Sequence, residues 1–215
     1  MGVSLPKQYL PLLNQTVIEV TLARLLALNN VKKVIVSLHP EDCHWQTLSC
    51  AYHPKIQTVV GGEERSDSVL AALRCIQTQA QASDWVLIHD AARACIMTET
   101  IESMLTELKH EDVGGLLAIP SDDTLKQVAN QQIHSTLDRR IIWRAQTPQV
   151  FRYGLLHQCL SRAIDDDHPI TDDASAIEIA GYSPKILPGC KNNIKITHAE
   201  DLHFAEFILR RQLDE

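Results

Sequence analysis

The chain has 215 residues, 45% of them apolar and 22% charged, which suits one globular domain with a substantial core, residues 1–215 as a single unit. A formal charge of -7 argues against nucleic acid or an anionic membrane as the main partner, because both need a basic face. No apolar run reaches the roughly 18 residues that a bilayer-spanning helix needs, and no basic-then-apolar leader opens the chain, so a cytoplasmic protein is expected.

The chain opens on a polar, proline-broken loop, Met1 to Leu10, that carries Lys7. Thr16 to Asn29 has aliphatic residues at helical spacing, and Val31 to Leu38 is a β-branched run that reads as a buried strand. Ile56 to Val60 is a second strand ending at Gly61-Gly62, with Ser66 the expected N-cap of a helix toward Gln79. Trp85 to His89 is a third strand, Thr98 to His110 a helix, and Gly115 to Pro120 a fourth strand. Helices alternating with strands across short links predict an α/β, doubly wound, mostly parallel sheet covered on both faces.

The pattern then changes. Thr124 to Ala129 and Ile133 to Leu137 are short, polar, β-branched runs around Asn130-Gln131-Gln132, which predicts a protruding β-hairpin over about 122–142. It has little apolar surface to bury at home and is a candidate dimerisation arm, with a merely exposed hairpin as the equal alternative. After Trp143 to Phe151 come helices near Gly154 to Ile164 and Asp173 to Ala180, a strand at Lys185 to Pro188, and the run Ile194 to Ile196. Thr197 and Glu200 have capping-box spacing for a last helix, Ala199 to Gln212.

Six scattered cysteines show no Cys-x-x-Cys pair and read as small buried hydrophobes. His39, Cys43 and His44 lack a matched fourth ligand for zinc, and Asp165 to His168 reads as a solvated loop. In open α/β sheets ligands lie beyond the carboxyl ends of the strands. Polar groups gather at three such ends: Gly61 to Arg65, Asp90 to Arg93, and Ser121 to Thr124. Gly61 and Gly62 leave room for a ligand near backbone, and Ser68 can donate to it, although taken alone the segment reads first as a plain strand-to-helix turn with a capping serine. Asp90, followed by two alanines, suits Mg²⁺ held by one carboxylate plus substrate phosphates, with a helix N-cap as the plainer reading. Lys7, Arg93, Arg139, Arg144 and Lys195, with the hydroxyls of Thr124, Thr147 and Thr171, describe a pocket for more than one phosphate. No serine or cysteine has an evident histidine partner and no G-x-G-x-x-G fingerprint is present, which favours phosphoryl or nucleotidyl transfer.

Eight segments carry a resemblance: Pro6 to Leu10; Gly61-Gly62 through Arg65 to Val69; His89 to Arg93; Asp123-Thr124-x-Lys126; Asp138-Arg139; Thr147-Pro148-Gln149; Thr171 to Ser175; and Asn193 to Thr197. In that order the chain resembles the 2-C-methyl-D-erythritol 4-phosphate cytidylyltransferases along its whole length. The resemblance implies a Rossmann-like nucleotidyltransferase fold and CTP-dependent cytidylyl transfer to methylerythritol phosphate in non-mevalonate isoprenoid synthesis. It also implies roles. Lys7 stabilises charge in the transition state, and Arg139 and Lys195 position the acceptor phosphate. Gly62, Glu63 and Ser68 face the cytidine nucleotide, Ala91, Arg93, Thr124, Thr147 and Thr171 complete the substrate pocket, and Asp90 holds Mg²⁺. In the family the arm crosses to the second subunit of a homodimer, so Thr124 and Arg139 serve the partner's site.

Two departures accompany it. Ala94 stands where the family usually has proline after Asp-Ala-Ala-Arg, a loss of loop rigidity. The family also places a buried strand and a glycine-rich loop before Pro-Lys-Gln, a stretch of roughly fifteen to twenty residues. Met1 sits where that loop should be ending, so the chain as given is expected to be poorly active at best. A ribitol-phosphate-type cytidylyltransferase and a catalytically impaired dimeric homologue are the competing expectations.

Overall fold

The computed structural model describes residues 5–214, so the first four positions of the opening loop lie outside the described residues. Four strands form one sheet in the order β10-β6-β9-β5: β5 is Trp85–Ile88, β6 Gly114–Pro120, β9 Trp143–Arg152 and β10 Lys185–Pro188. β10 runs parallel to β6, while β9 runs antiparallel to both β6 and β5, so this sheet is mixed. β3 (Val34–Leu38) and β4 (Ile56–Val60) form a separate parallel pair, in register from Val34 opposite Ile56.

Alternation along the strands explains the two covered faces. Val86, Ile88, Leu116 and Phe151 point to a core shared with α2 (Arg65–Cys75), α4 (Tyr153–Asp165) and α5 (Asp173–Ile179). Trp85, Leu87, Leu117 and Val150 point the other way, against α3 (Thr98–Glu107) and the end of α1 (Val17–Leu26). Ile18 and Leu22 of α1 also pack on Val34, Val36 and Leu38 of β3. On the opposite face the Ser37 hydroxyl of β3 donates to the Ser68 carbonyl of α2, at 2.8 Å. α1 and α2 therefore each span β3 and β5, whose facing edges have no hydrogen-bonded strand partner among the described residues. α6 (Glu200–Asp214) closes a fourth cluster through Ala205 and Leu209.

Local chemistry sets the ends. Thr16 and Glu19 make a reciprocal capping box at α1. At α2 the N-cap is Glu64, whose backbone N–H donates to Asp67, and Ser66 lies one residue inside the helix rather than capping it. At α6 the Asp201 carboxylate accepts from the backbone of both Thr197 and His198, at 2.8 Å each, so Asp201 performs the capping expected of Glu200. Gly114 opens β6 with φ +122°, and a Cβ there would strike the Val150 carbonyl and Phe151.

β7 (Lys126–Ala129) and β8 (Gln132–Thr136) form the expected hairpin through a two-residue turn, Asn130 and Gln131, both at positive φ. Its apolar side chains Val128 and Ile133, with Ile141 and Trp143 at its base, are exposed. The short pair β1 (Pro11–Leu12) and β2 (Gln15–Thr16) was not anticipated, and Ile194 to Ile196 forms no strand. Only Cys95 and Cys159 of the six cysteines are buried, and Cys43 is exposed. The described residues hold no group of three or more metal-binding side chains, and Asp165 to His168 is exposed as expected. No helix among the described residues is long and apolar enough to cross a membrane.

Candidate active site

Asp90 follows β5 at its carboxyl end, and a tight turn presents it. The backbone N–H of Arg93 donates to the Asp90 carbonyl, and the Asp90 N–H donates to the Thr147 hydroxyl, both at 3.0 Å. His89 closes the same turn through Nε2 and the Arg93 carbonyl, 3.1 Å apart. The loop after β10 is tied on by backbone and side chains instead of a strand ladder. Ile196 N–H donates to the Ala92 carbonyl, Arg93 to the Asn193 carbonyl at 2.6 Å, and buried Asn193 to the Thr147 carbonyl at 2.8 Å. Ile194 to Ile196 gains no partner strand among the described residues. Thr147 itself is held in β9, before a cis bond to Pro148.

These anchors converge on a pocket of about 280 Å³ lined by Arg65, Asp90, Arg93, Ala145, Gln146, Thr147, Thr171, Asp172 and Lys195. Asp90 lies 3.3 Å from Arg65, 3.4 Å from Arg93 and 3.1 Å from Lys195. Burial works against its charge, but Lys195, Arg65 and Arg93 outweigh that and hold its carboxyl below the ordinary carboxylate range. Arg65 also forks onto Asp173, at 3.1 and 2.7 Å. Burial pushes the Asp173 carboxyl upward, and the Arg65 fork is the opposing influence that favours its ionised form. Asp172 is occupied elsewhere, accepting from Gln149 and from the Ser175 backbone at the start of α5. Arg65, Arg93 and Lys195 thus face the cavity beside the carboxylates of Asp90 and Asp172, with Asp173 behind Arg65, so donors for an anion stand next to oxygen donors for a cation.

Hydroxyls and cations converge here with no serine in the lining. No cysteine lines the pocket, and His89 is committed to the Arg93 carbonyl. As a cation site, the pocket lining offers two carboxylates, Asp90, whose side chain is 12% exposed, and Asp172, whose two oxygens already accept hydrogen bonds. That donor set fits a hard divalent ion completed by substrate phosphates and does not fit a fully protein-ligated metal.

Of the residues singled out in the sequence, Asp90, Arg93, Thr147, Thr171 and Lys195 line this one pocket, with Ala91 in the same turn. Gly62 and Ser68 meet each other at the end of β4, where Gly62 N–H donates to the Ser68 hydroxyl at 3.1 Å. A Cβ at Gly62 would collide with Asp67, so part of the space left by that glycine is taken by α2. Glu63 is exposed beside them. Lys7, Thr124 and Arg139 are exposed and do not line the pocket; Arg139 lies at the arm's base, donating to the Asp122 carbonyl at 2.8 Å. Sequence reasoning gave no role to Arg65, Gln146, Asp173 or Asn193. The first and the last two fall inside the resembling segments, and a second aspartate inside an apolar helix start at Asp173 was the available signal.

The family model for 2-C-methyl-D-erythritol 4-phosphate cytidylyltransferase (IspD) matches residues 1–211. The chain belongs to the IspD family. It is 44% identical over 210 residues to the enzyme of that name from Vibrio vulnificus, covering 97% of this chain and 89% of that one. The Pseudomonas putida enzyme is 46% identical over 206 residues, covering 95% and 88%. The crystal structure of the Francisella tularensis IspD superposes with a TM-score of 0.86 at 35% identity, covering 95% of this chain and 93% of that one. Every one of these IspD relatives carries the name of a cytidylyltransferase of methylerythritol phosphate, which favours neither a ribitol phosphate acceptor nor a non-catalytic homologue.

Proposed function

We propose that the protein transfers CMP from CTP to 2-C-methyl-D-erythritol 4-phosphate, giving 4-diphosphocytidyl-2-C-methyl-D-erythritol and pyrophosphate in isoprenoid precursor synthesis. The observation that carries this is the family match over residues 1–211, together with a pocket to which five of the eight resembling segments contribute and in which three cations surround Asp90. An acceptor phosphate oxygen bonds to the α-phosphorus as the bond to the bridging β-phosphate oxygen breaks, and pyrophosphate leaves with that electron pair. The acceptor monoester is already anionic at neutral pH, so no general base is needed. The difficulty is bringing two anions together, which positioned cations relieve.

Lys195 and Arg139 are the residues assigned to hold the acceptor phosphate, and Lys7 to stabilise charge on the triphosphate. Arg93, Thr147 and Thr171 supply donors in the pocket, with Ala91 beside the nucleotide. Gly62, Glu63 and Ser68 are assigned to the cytidine. Asp90 is the residue to hold Mg²⁺, which when bound neutralises triphosphate charge. The exposed Val128, Ile133, Ile141 and Trp143 support a homodimer joined through the arms, which brings Thr124 and Arg139 to the partner's pocket. The cytoplasm is the expected compartment. Incubating the protein with CTP, Mg²⁺ and either methylerythritol phosphate or ribitol phosphate tests this: one pyrophosphate per cytidylylated methylerythritol is expected, and preference for ribitol phosphate would overturn it.

A further inference from the structure

Arg65 and Asp173 have no part in the scheme above, yet Asp173 is the more enclosed of the two carboxylates that pair with Arg65 at the site. The Asp173 side chain is 1% exposed and its carboxylate accepts from the Arg65 guanidinium alone, through both terminal nitrogens. So enclosed a carboxylate does not meet substrate; what it does, it does through Arg65. The fork fixes the guanidinium plane, which leaves Nε to donate to Asp90 Oδ1 at 3.3 Å. We propose that Arg65, clamped by Asp173, is a positioning residue that fixes Asp90 so that its other oxygen, Oδ2, receives the divalent cation of the nucleotide complex.

The partners of Asp90 divide accordingly. Oδ1 is taken by a guanidinium anchored in a second place, whereas Oδ2 faces Lys195 Nζ at 3.1 Å and Arg93 Nε at 3.4 Å. Arg93 keeps the Asn193 carbonyl at 2.6 Å whatever Oδ2 does. Lys195 is 44% exposed and has no second ion-pair partner among the described residues, so it is the group that Oδ2 can exchange for a cation. Without the Arg65 bond the carboxylate is free to turn about its last torsion and set either oxygen on Lys195. Arg65 opens α2 and Asp173 opens α5, so the same pair also joins two helices, and the test must separate orientation from packing.

The inference rests on Asp90 as the cation ligand. Mn²⁺ is titrated into the full chain with CTP present and free Mn²⁺ is read by electron paramagnetic resonance, beside acceptor kinetics and thermal unfolding. Arg65→Lys keeps the charge but cannot make the fork and the Asp90 contact together. Arg65→Gln/Asp173→Asn removes both charges and leaves no lone buried ion. Each is expected to bind Mn²⁺ about tenfold more weakly, the usual scale for losing a group that orients a metal ligand, with KM for the acceptor within about twofold and turnover partly restored by added Mn²⁺. Unchanged Mn²⁺ affinity in either folded variant, even with a lower melting temperature, overturns the positioning role. A loss confined to the acceptor KM overturns it as well, by making Arg65 a direct substrate contact. Failure of the unsubstituted protein to bind Mn²⁺ with CTP overturns the reading of Asp90 itself.

Discussion

Acidification from about pH 7 to about pH 5 should cost close to 2 kcal/mol of stability through His89 alone. Burial pushes this imidazole down from 6.5 to about 4; the Arg93 carbonyl and Asp90 favour its charged form, and Arg93 and Arg65 oppose it. The geometry agrees, since Nε2 is used by the Arg93 carbonyl and Nδ1 is buried without a partner, so a second ring proton would have no acceptor. A histidine whose folded value lies below its unfolded one contributes stability that is complete above 6.5 and is lost as pH falls toward 4. Within that window each pH unit costs about 1.4 kcal/mol, and little is lost before the unfolded chain begins to titrate, which leaves about 2 kcal/mol by pH 5. Urea unfolding of the protein and of His89→Gln at both pH values is the assay. The remaining histidines act equally in both, so the difference in pH dependence isolates His89, and glutamine keeps a donor for the Arg93 carbonyl. Equal losses in the two proteins, or a His89 ring titrating near 6.5 by NMR, would refute the reasoning.

Lys195→Ala should lower turnover by about a hundredfold, roughly 2.7 kcal/mol of transition-state stabilisation, while the melting temperature stays within a few degrees because Asp90 keeps Arg65 and Arg93. Arg139→Ala should also cut turnover strongly with the fold intact, and normal pyrophosphate release by both variants would remove the roles given to them. The proposed homodimer should become monomeric in light scattering, with activity falling together, on Ile141→Asp, at a side chain 76% exposed beside the arm; a dimer that persists would place the interface elsewhere, and a monomeric unsubstituted protein would remove the proposed dimer. In hydrogen exchange, β6 amides should be the slowest because that strand is paired on both sides and buried, and β3, paired only to β4, should exchange faster; the reverse order would contradict the division into two sheets.

Elements built on apolar periodicity were legible in the sequence to within a residue or a few. β4 and β10 fall on the residues read as strands, Ile56 to Val60 and Lys185 to Pro188, and the hairpin turn falls on Asn130 and Gln131. The direction of β9 was not legible, because a strand buried on both faces reads alike whichever way it runs. Ile194 to Ile196 has strand-like residues, but the Ile196 N–H bonds the Ala92 carbonyl and the chain just before it is anchored at Cys190 and Asn193 by Gln146, Arg93 and Thr147, a tertiary arrangement that no local pattern encodes. Within the site, residues on strand ends could be named from chain order. Asp173 could not be given a purpose, because its partner Arg65 is 108 positions away and only the fold brings the two carboxylates of Asp173 and Asp90 to one guanidinium.

The most direct test of the proposed function follows CTP, Mg²⁺ and 2-C-methyl-D-erythritol 4-phosphate with this protein by mass spectrometry and a coupled pyrophosphate assay. The account predicts 4-diphosphocytidyl-2-C-methyl-D-erythritol and pyrophosphate in equal amounts, with both abolished in Asp90→Asn. Product formed undiminished by Asp90→Asn, or no cytidylyl transfer by the folded protein, would contradict it.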